Sequence, residues 1–237
     1  MRAPPPPPPQ GEIELVVARH REPLAWLRRV PREIAVRVYD KGGDLQPAGA
    51  PRAAIERLPN VGREAHTYLH HLVSRRDALA PLTVFCQGHP FDHASDFHRV
   101  LRALASGAEQ VQDFRWLGFI IDTDDPRGRR LFTRWSKNPE GRELELDRFH
   151  LALFGAPCPE KVRFYPGAQF AIQADLARSR PPELFSRALE LSLSFPDAAH
   201  CFERLWDRVF GVAGVDEGLL RGGDTAYLKP IRRLETP

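Results

Sequence analysis

The chain has few cysteines, few lysines and no long apolar run. Its 237 residues include three cysteines, Cys86, Cys158 and Cys201, an odd number, widely spaced and without a C-x-x-C pair. That spacing excludes a recognisable zinc knuckle or disulfide framework and suits a reducing, cytoplasmic setting. No stretch approaches the roughly 18 consecutive apolar residues that a membrane-spanning helix needs. The opening MRAPPPPPPQGE lacks the apolar centre of a secretory signal, so cytoplasmic localisation is expected. Only four of the 34 basic residues are lysine (Lys41, Lys137, Lys161, Lys229), which leaves thirty arginines. With no dense basic block and a formal net charge of +3, nucleic acid is not the expected partner.

What is present is an ordinary globular composition, 42% apolar and 27% charged. Pro4–Pro9 favour an extended polyproline helix, so residues 1–11 read as a disordered leader, 12–212 as one domain and 213–237 as a C-terminal tail. Ile13–Ala18 and Ile34–Tyr39 are short runs rich in β-branched residues, separated by a helical segment at Pro23–Arg29. Strand, helix, strand at this spacing opens a parallel sheet with crossover connections. Leu82–Cys86 and Trp116–Ile121 read as further strands, and Val162–Tyr165 with Ala168–Ile172 as a strand pair. Glu64–Val73, Asp96–Ala105, Pro182–Leu193 and Ala198–Phe210 carry apolar residues at helical spacing. Residues 45–59 and 126–160 read as loops. The expected fold class is α/β, a single domain with a mostly parallel central sheet and helices on both faces.

Candidate chemistry concentrates in LPNVGREAHTYLHHLV (Leu58–Val73) and TVFCQGHPFDH (Thr83–His93), which hold five of the nine histidines. The two segments read as one pocket, because ligands of open α/β sheets sit outside the carboxyl ends of strands. In Asn60–Val61–Gly62–Arg63–Glu64, a turn opens a helix, and Arg63 offers a planar fork suited to a diphosphate beside the helix N-terminus. An Arg63–Glu64 salt bridge explains the same letters. His66 and His70 lie one turn apart, a spacing at which two histidines can share a metal ion and which also serves capping or core packing. In Gln87–Gly88–His89–Pro90–Phe91–Asp92–His93, a strand end brings nitrogen and oxygen donors together as metal ligands or an acid–base pair. Asp122–Thr123–Asp124–Asp125 has the close carboxylates of a divalent-ion loop, or those of a solvated turn. Glu203, with His200 one turn before it, is a candidate base.

Several motifs carry a resemblance. VVARH, VYDKGG, LPNVGREAHTYLHH, FCQGHPFDH, FYPGAQFAI and FERLWDRVFG, spanning Ile13–Gly211, resemble a family of fungal and bacterial proteins described as a domain of unknown function. The order of the VVAR strand, the VYxKG strand, N-x-G-R-E before a helix and F-x-Q-G at a strand end is also similar to nucleotide-sugar glycosyltransferases of the GT-A fold, a Rossmann-like architecture. The second resemblance implies a nucleotide-sugar donor, a hydroxyl-bearing acceptor and, as cofactor, a divalent metal ion. The D-x-D motif of those enzymes is replaced here by Cys86–Gln87–Gly88–His89, so either the metal is absent, or His and Asp replace the usual pair, or the role passes to Asp122–Thr123–Asp124. On this reading Asn60, Gly62, Arg63, Glu64, Gln87 and Gly88 bind the donor. His89, His93, Asp122 and Asp124 are the metal candidates, and Asp92, Glu203 and His93 the catalytic ones. Two alternatives stay open: a metal-dependent hydrolase built on His89, Asp92 and His93, and a non-catalytic sugar- or nucleotide-binding module.

Overall fold

The computed structural model describes residues 12–121, 125, 127–131, 141–223 and 225–228. Asp122 and Asp124 therefore lie outside the described residues, as does the leader 1–11. Six strands form one sheet: β1 (Ile13–Arg19), β2 (Ile34–Asp40), β3 (Ala53–Arg57), β4 (Leu82–Gln87), β5 (Phe114–Trp116) and β7 (Phe170–Gln173), in the order β3-β2-β1-β4-β7-β5. A two-stranded sheet joins β6 (Ile120–Ile121) to β8 (Ala226–Tyr227). The α-helices are α1 (Arg63–Ser74), α2 (Phe97–Ala105), α3 (Leu146–Phe154), α4 (Ala174–Ser179), α5 (Pro182–Ser194) and α6 (Ala198–Val209). Strands β1 to β4 run parallel, and β7 runs antiparallel between β4 and β5. The fold is thus a Rossmann-like, mostly parallel α/β domain.

Alternation along the strands assigns the two faces. Leu15, Val17, Val36, Val38, Val84 and Cys86 pack with Phe97, Val100, Leu101 and Leu104 of α2. Val16, Ala18, Tyr39, Phe85, Phe170 and Ile172 pack the other way, against α1, α3, α5 and α6. This second face is strongly aromatic: Phe85 and Phe170 lie 5.1 Å apart, Phe170 and Trp206 5.0 Å, and Phe202 stacks on Trp206 at 5.2 Å. Burying each such ring stabilises the fold by about 1.5–3 kcal/mol. These rings fix α6 over the sheet and α1 beside it.

The structure corrects the sequence reading in places. Pro23–Arg29 shortens to a 3₁₀ turn, Ala25–Arg29. The stretch read as a loop before Asn60 contains edge strand β3, whose side chains are half-buried and show no apolar alternation. Trp116–Ile121 divides between two sheets because Leu117–Phe119 leaves the main one. The pair expected at Val162–Tyr165 and Ala168–Ile172 is a single strand, Phe170–Gln173, paired to β4 and β5. Helix α3 falls inside a stretch read as irregular, with Leu146, Phe149 and Leu153 buried.

A buried polar seam joins α1 to β1 and β2. Glu14 accepts a 2.7 Å hydrogen bond from Arg37 Nε, and the pair is about 1% exposed on each side. The Tyr39 hydroxyl and His71 Nδ1 share a hydrogen bond of 3.0 Å. Burial raises the Glu14 carboxyl and depresses His71, with the Arg37 charge lowering both.

Candidate functional site

The strand order makes a switch point between β1 and β4, where successive connections run to opposite sides of the sheet. At that edge the loops after β1, β2 and β4 lock together. Arg19, at the end of β1, donates to Glu22 O at 2.9 Å and to Asp40 Oδ1 and Asp44 Oδ1 at 2.7 Å each. Asp40, fully buried at the end of β2, also accepts from the backbone N–H groups of Gly42 and Leu45. Trp26 Nε1 donates to Gly88 O at 2.9 Å, which ties the loop after β4 to the helical turn after β1.

Helix α1 begins at this edge through an unusual turn. Gly62 and Arg63 both have left-handed backbones, φ 59° and 49°. A Cβ on Gly62 would come within 2.6 Å of Ser192 O at the end of α5, so the turn is pressed against that helix. Lys41 donates from its ammonium to Val61 O and Arg63 O. Burial draws Lys41 down to about 8, against the opposing charge of Glu64.

Four segments meet around Arg63. Its NH1 donates to His200 Nε2 at 3.2 Å, and its Nε lies 3.8 Å from Glu64. Because a guanidinium only donates, His200 must accept at Nε2 and carry its proton on Nδ1, the atom 3.9 Å from Glu203. Glu203 accepts from the Gly167 backbone N–H at 2.6 Å and from Arg204 at 3.3 Å. Gly167, at φ 96°, in turn lies flat against His93: an added Cβ would sit 2.4 Å from the ring's Cγ. Arg63, His200, Glu203, Gly167 and His93 therefore form a continuous set of contacts.

Backbone strain collects in the same place. Among the described residues, four non-glycine positions have positive φ: Arg63, Ala168, Asp197 and Arg221. Arg63 belongs to this set and the next two flank it, since Ala168 follows Gly167 and Asp197 precedes the helix bearing His200 and Glu203. Left-handed backbone costs a non-glycine residue roughly 1–2 kcal/mol, and such strain gathers at functional sites.

The two carboxylates are tuned in opposite directions. Burial would raise Glu203, but His200, the Arg204 charge and the Gly167 N–H outweigh it and hold the group at about 2. Burial raises Glu64, Arg63 opposes it, and the negative charge of Glu203 adds to the rise. Groups pushed apart in this way are the usual mark of an acid–base assignment. His66, one turn into α1, is drawn down to about 4 by burial, with Lys41 and His70 adding to the effect.

The residues singled out in the sequence divide by location. Arg63, Glu64, Glu203 and His93 belong to the contact set, and Asn60 and Gly62 to the turn before it. Gln87, half-buried, ends β4, and Gly88 meets Trp26. His89 and Asp92 are exposed and pair with each other at 3.4 Å, with the His89 ring on Phe91. No group of three or more His, Cys, Asp or Glu is placed to hold a metal ion among the described residues. His70 instead contacts Glu56 at 3.1 Å. Sequence reasoning passed over Lys41, Gly167 and Arg204. A lone lysine in Asp-Lys-Gly-Gly reads as turn, and only the fold brings Gly167 to Glu203.

No helix among the described residues is long and apolar enough to cross a membrane. A comparison with curated proteins gave no match. Among solved structures, the chain is similar to a CMP:2-keto-3-deoxy-manno-octonic acid synthetase complexed with CTP. The identity is 12%, over 83% of this chain and 85% of that one, and the TM-score of 0.35 is too low to carry an argument. The family assignment is firm: a family model matches residues 15–217, and the chain belongs to the family described as protein of unknown function (DUF3431).

Proposed function

We propose that this protein is a glycosyltransferase-like enzyme that binds a nucleotide-diphosphate sugar at the carboxyl edge of the sheet, over Arg63, Glu64, His200 and Glu203. The observation that carries the reading is the pair of oppositely tuned carboxylates, Glu64 and Glu203, linked through Arg63 and His200. Arg63, with a side chain 55% exposed, keeps donors available for the diphosphate beside the start of α1. Glu203, ionised throughout the neutral range, faces the positive charge that develops at the anomeric carbon. Glu64, whose carboxyl burial raises, suits the base role better than Glu203, whose carboxyl is held low, because a base of higher proton affinity takes the acceptor proton more readily. The acceptor oxygen attacks the anomeric carbon, the bond from that carbon to the phosphate oxygen breaks, and the hydroxyl proton passes to Glu64. The nucleoside diphosphate departs with the bonding electron pair, its charge met by Arg63.

A divalent ion, if one serves the donor, would draw on His89, His93, Asp122 and Asp124. In the turn after β4, His89 contacts Asp92 at 3.4 Å, and the described residues bring no group of three such ligands together. The hydrolase alternative on His89, Asp92 and His93 rests on that same pair. The test is sugar transfer from uridine- and guanosine-diphosphate sugars by wild type, Glu64→Gln and Glu203→Gln. Glu64→Gln is expected to lose roughly 10²–10⁴ in kcat while nucleotide affinity stays within about twofold. Transfer unchanged in Glu64→Gln removes the base assignment.

A further inference from the structure

We propose that Lys41 is a positioning residue: it holds the turn before α1 in the left-handed form that presents Arg63 and Glu64, without itself touching a ligand. The role rests on the reading of Arg63 as the phosphate grip.

Lys41 is held where it can do this. Its own backbone N–H donates to Arg19 O at 2.8 Å, and its neighbour Asp40 is fully buried and bonded on several sides. The buried side chain runs to the turn, where one ammonium engages the carbonyls on both sides of Gly62. The turn is braced on its other side by the close approach of Gly62 to Ser192 O. Two consecutive left-handed residues, one of them arginine, need such support, because Arg63 would otherwise relax toward the right-handed region. The placement also runs against electrostatic preference. A cation at a helix N-terminus opposes the helix dipole. Lys41 is therefore explained by the two carbonyls it bonds and by the nearby charge of Glu64, not by the helix dipole. A short polar side chain from this position would not reach both carbonyls.

The geometry separates Lys41 from a direct ligand contact. Two of its three N–H donors are taken by backbone, and its side chain is covered, while Arg63 stands open to solvent. A group that acts only through another produces non-additive losses when both are changed.

The experiment is a double-mutant cycle with Lys41→Met, Arg63→Met and the pair, measuring uridine diphosphate and guanosine diphosphate affinity by calorimetry. Alongside it, amide hydrogen exchange is read across residues 58–68. Each single change is expected to weaken nucleotide binding about tenfold, with the double change no weaker than either. Lys41→Met should also speed exchange at the His66 amide, which bonds Gly62 O at 3.0 Å, and leave β1 and β4 protected. Additive losses in the cycle would mean that Lys41 touches the ligand and would overturn the proposal. Should wild type bind neither nucleotide, the functional reading fails on its own, and exchange decides this one: an unchanged His66 amide in Lys41→Met overturns it. If Lys41→Met does not fold, Lys41→Gln, which keeps a shorter donor, takes its place with the same expected outcomes.

Discussion

Replacing Gly167 with alanine tests whether the turn at the end of the Tyr165–Ala168 segment brings His93 and Glu203 together. Two penalties are expected. The first is backbone: at φ 96° glycine is at ease and alanine is not, and left-handed backbone costs roughly 1–2 kcal/mol. The second is contact: the new methyl would lie 2.4 Å from His93 Cγ and 2.6 Å from its Cβ, so the imidazole must move. Forcing a methyl into a filled site typically costs about 1–3 kcal/mol. The sum is roughly 2–5 kcal/mol. Gly155 supplies the control, since its φ is 69° and nothing lies within 4 Å of where its Cβ would be. Gly155→Ala should therefore lose only the backbone part, roughly 1–2 kcal/mol. Urea unfolding at neutral pH reads both, and melting should fall by roughly 2–4 °C per kcal/mol for a chain of this size. Equal losses at the two glycines would mean that His93 does not pack on Gly167, and the contact set from Arg63 to His93 would break at that point.

Other substitutions follow from the same geometry. Arg63→Gly removes a left-handed strain at the loss of a half-exposed side chain, so stability should rise by about 0.5–1 kcal/mol while nucleotide affinity falls about tenfold; a lower melting temperature would show that the Arg63 side chain serves folding. Glu203, held at about 2 against an ordinary 4.5, contributes stability that is present above pH 4.5 and is lost as pH falls toward 2. The contribution is on the order of 3 kcal/mol, and Glu203→Gln should flatten the acid limb of a stability–pH curve; an unaltered limb would contradict the pairing with His200 and Arg204. In the seam under α1, Glu14→Gln strands the Arg37 charge in the interior and should cost about 3–5 kcal/mol. The combined Glu14→Leu and Arg37→Met change should recover most of that loss in urea unfolding, and failure to recover would mark the pair as a requirement of the fold.

Much of the scaffold could be read from local pattern. Strands β1, β2 and β4 are short β-branched runs in which all but one residue of each strand is buried, and α1, α2 and α6 show the expected spacing of core residues. What escaped notice depends on partners distant in the chain. Ala53–Arg57 becomes a strand because the edge of β2 offers it a ladder, not because its own residues alternate. Phe170–Gln173 runs antiparallel between β4 and β5, a placement set by Phe170 meeting Phe85 and Trp116 in register. Helix α3 was legible in the spacing of Leu146, Phe149, His150 and Leu153, but the proline- and glycine-bearing stretches around it concealed the pattern. In the site, Arg63 and Glu64 stood out because polar residues there open an apolar helix. Lys41 and Gly167 did not, because one acts on backbone carbonyls and the other through the absence of a side chain. His89 and Asp92 attracted attention as a cluster in sequence, yet the strand end turns them outward to solvent, where they contact each other and Phe91.

The central claim is that Arg63 grips a diphosphate at the carboxyl edge of the sheet. Calorimetric titration of wild type and Arg63→Lys with uridine diphosphate and guanosine diphosphate tests it most directly, because lysine keeps the charge and loses the two-pronged donor. The expected result is binding of one of these nucleotides by wild type, weakened about tenfold in the variant, equivalent to about 1.4 kcal/mol, with the melting temperature of the free protein nearly unchanged. Equal affinity in the two proteins, accompanied by a lower melting temperature for Arg63→Lys, would contradict the account and leave Arg63 as a structural partner of Glu64 and His200.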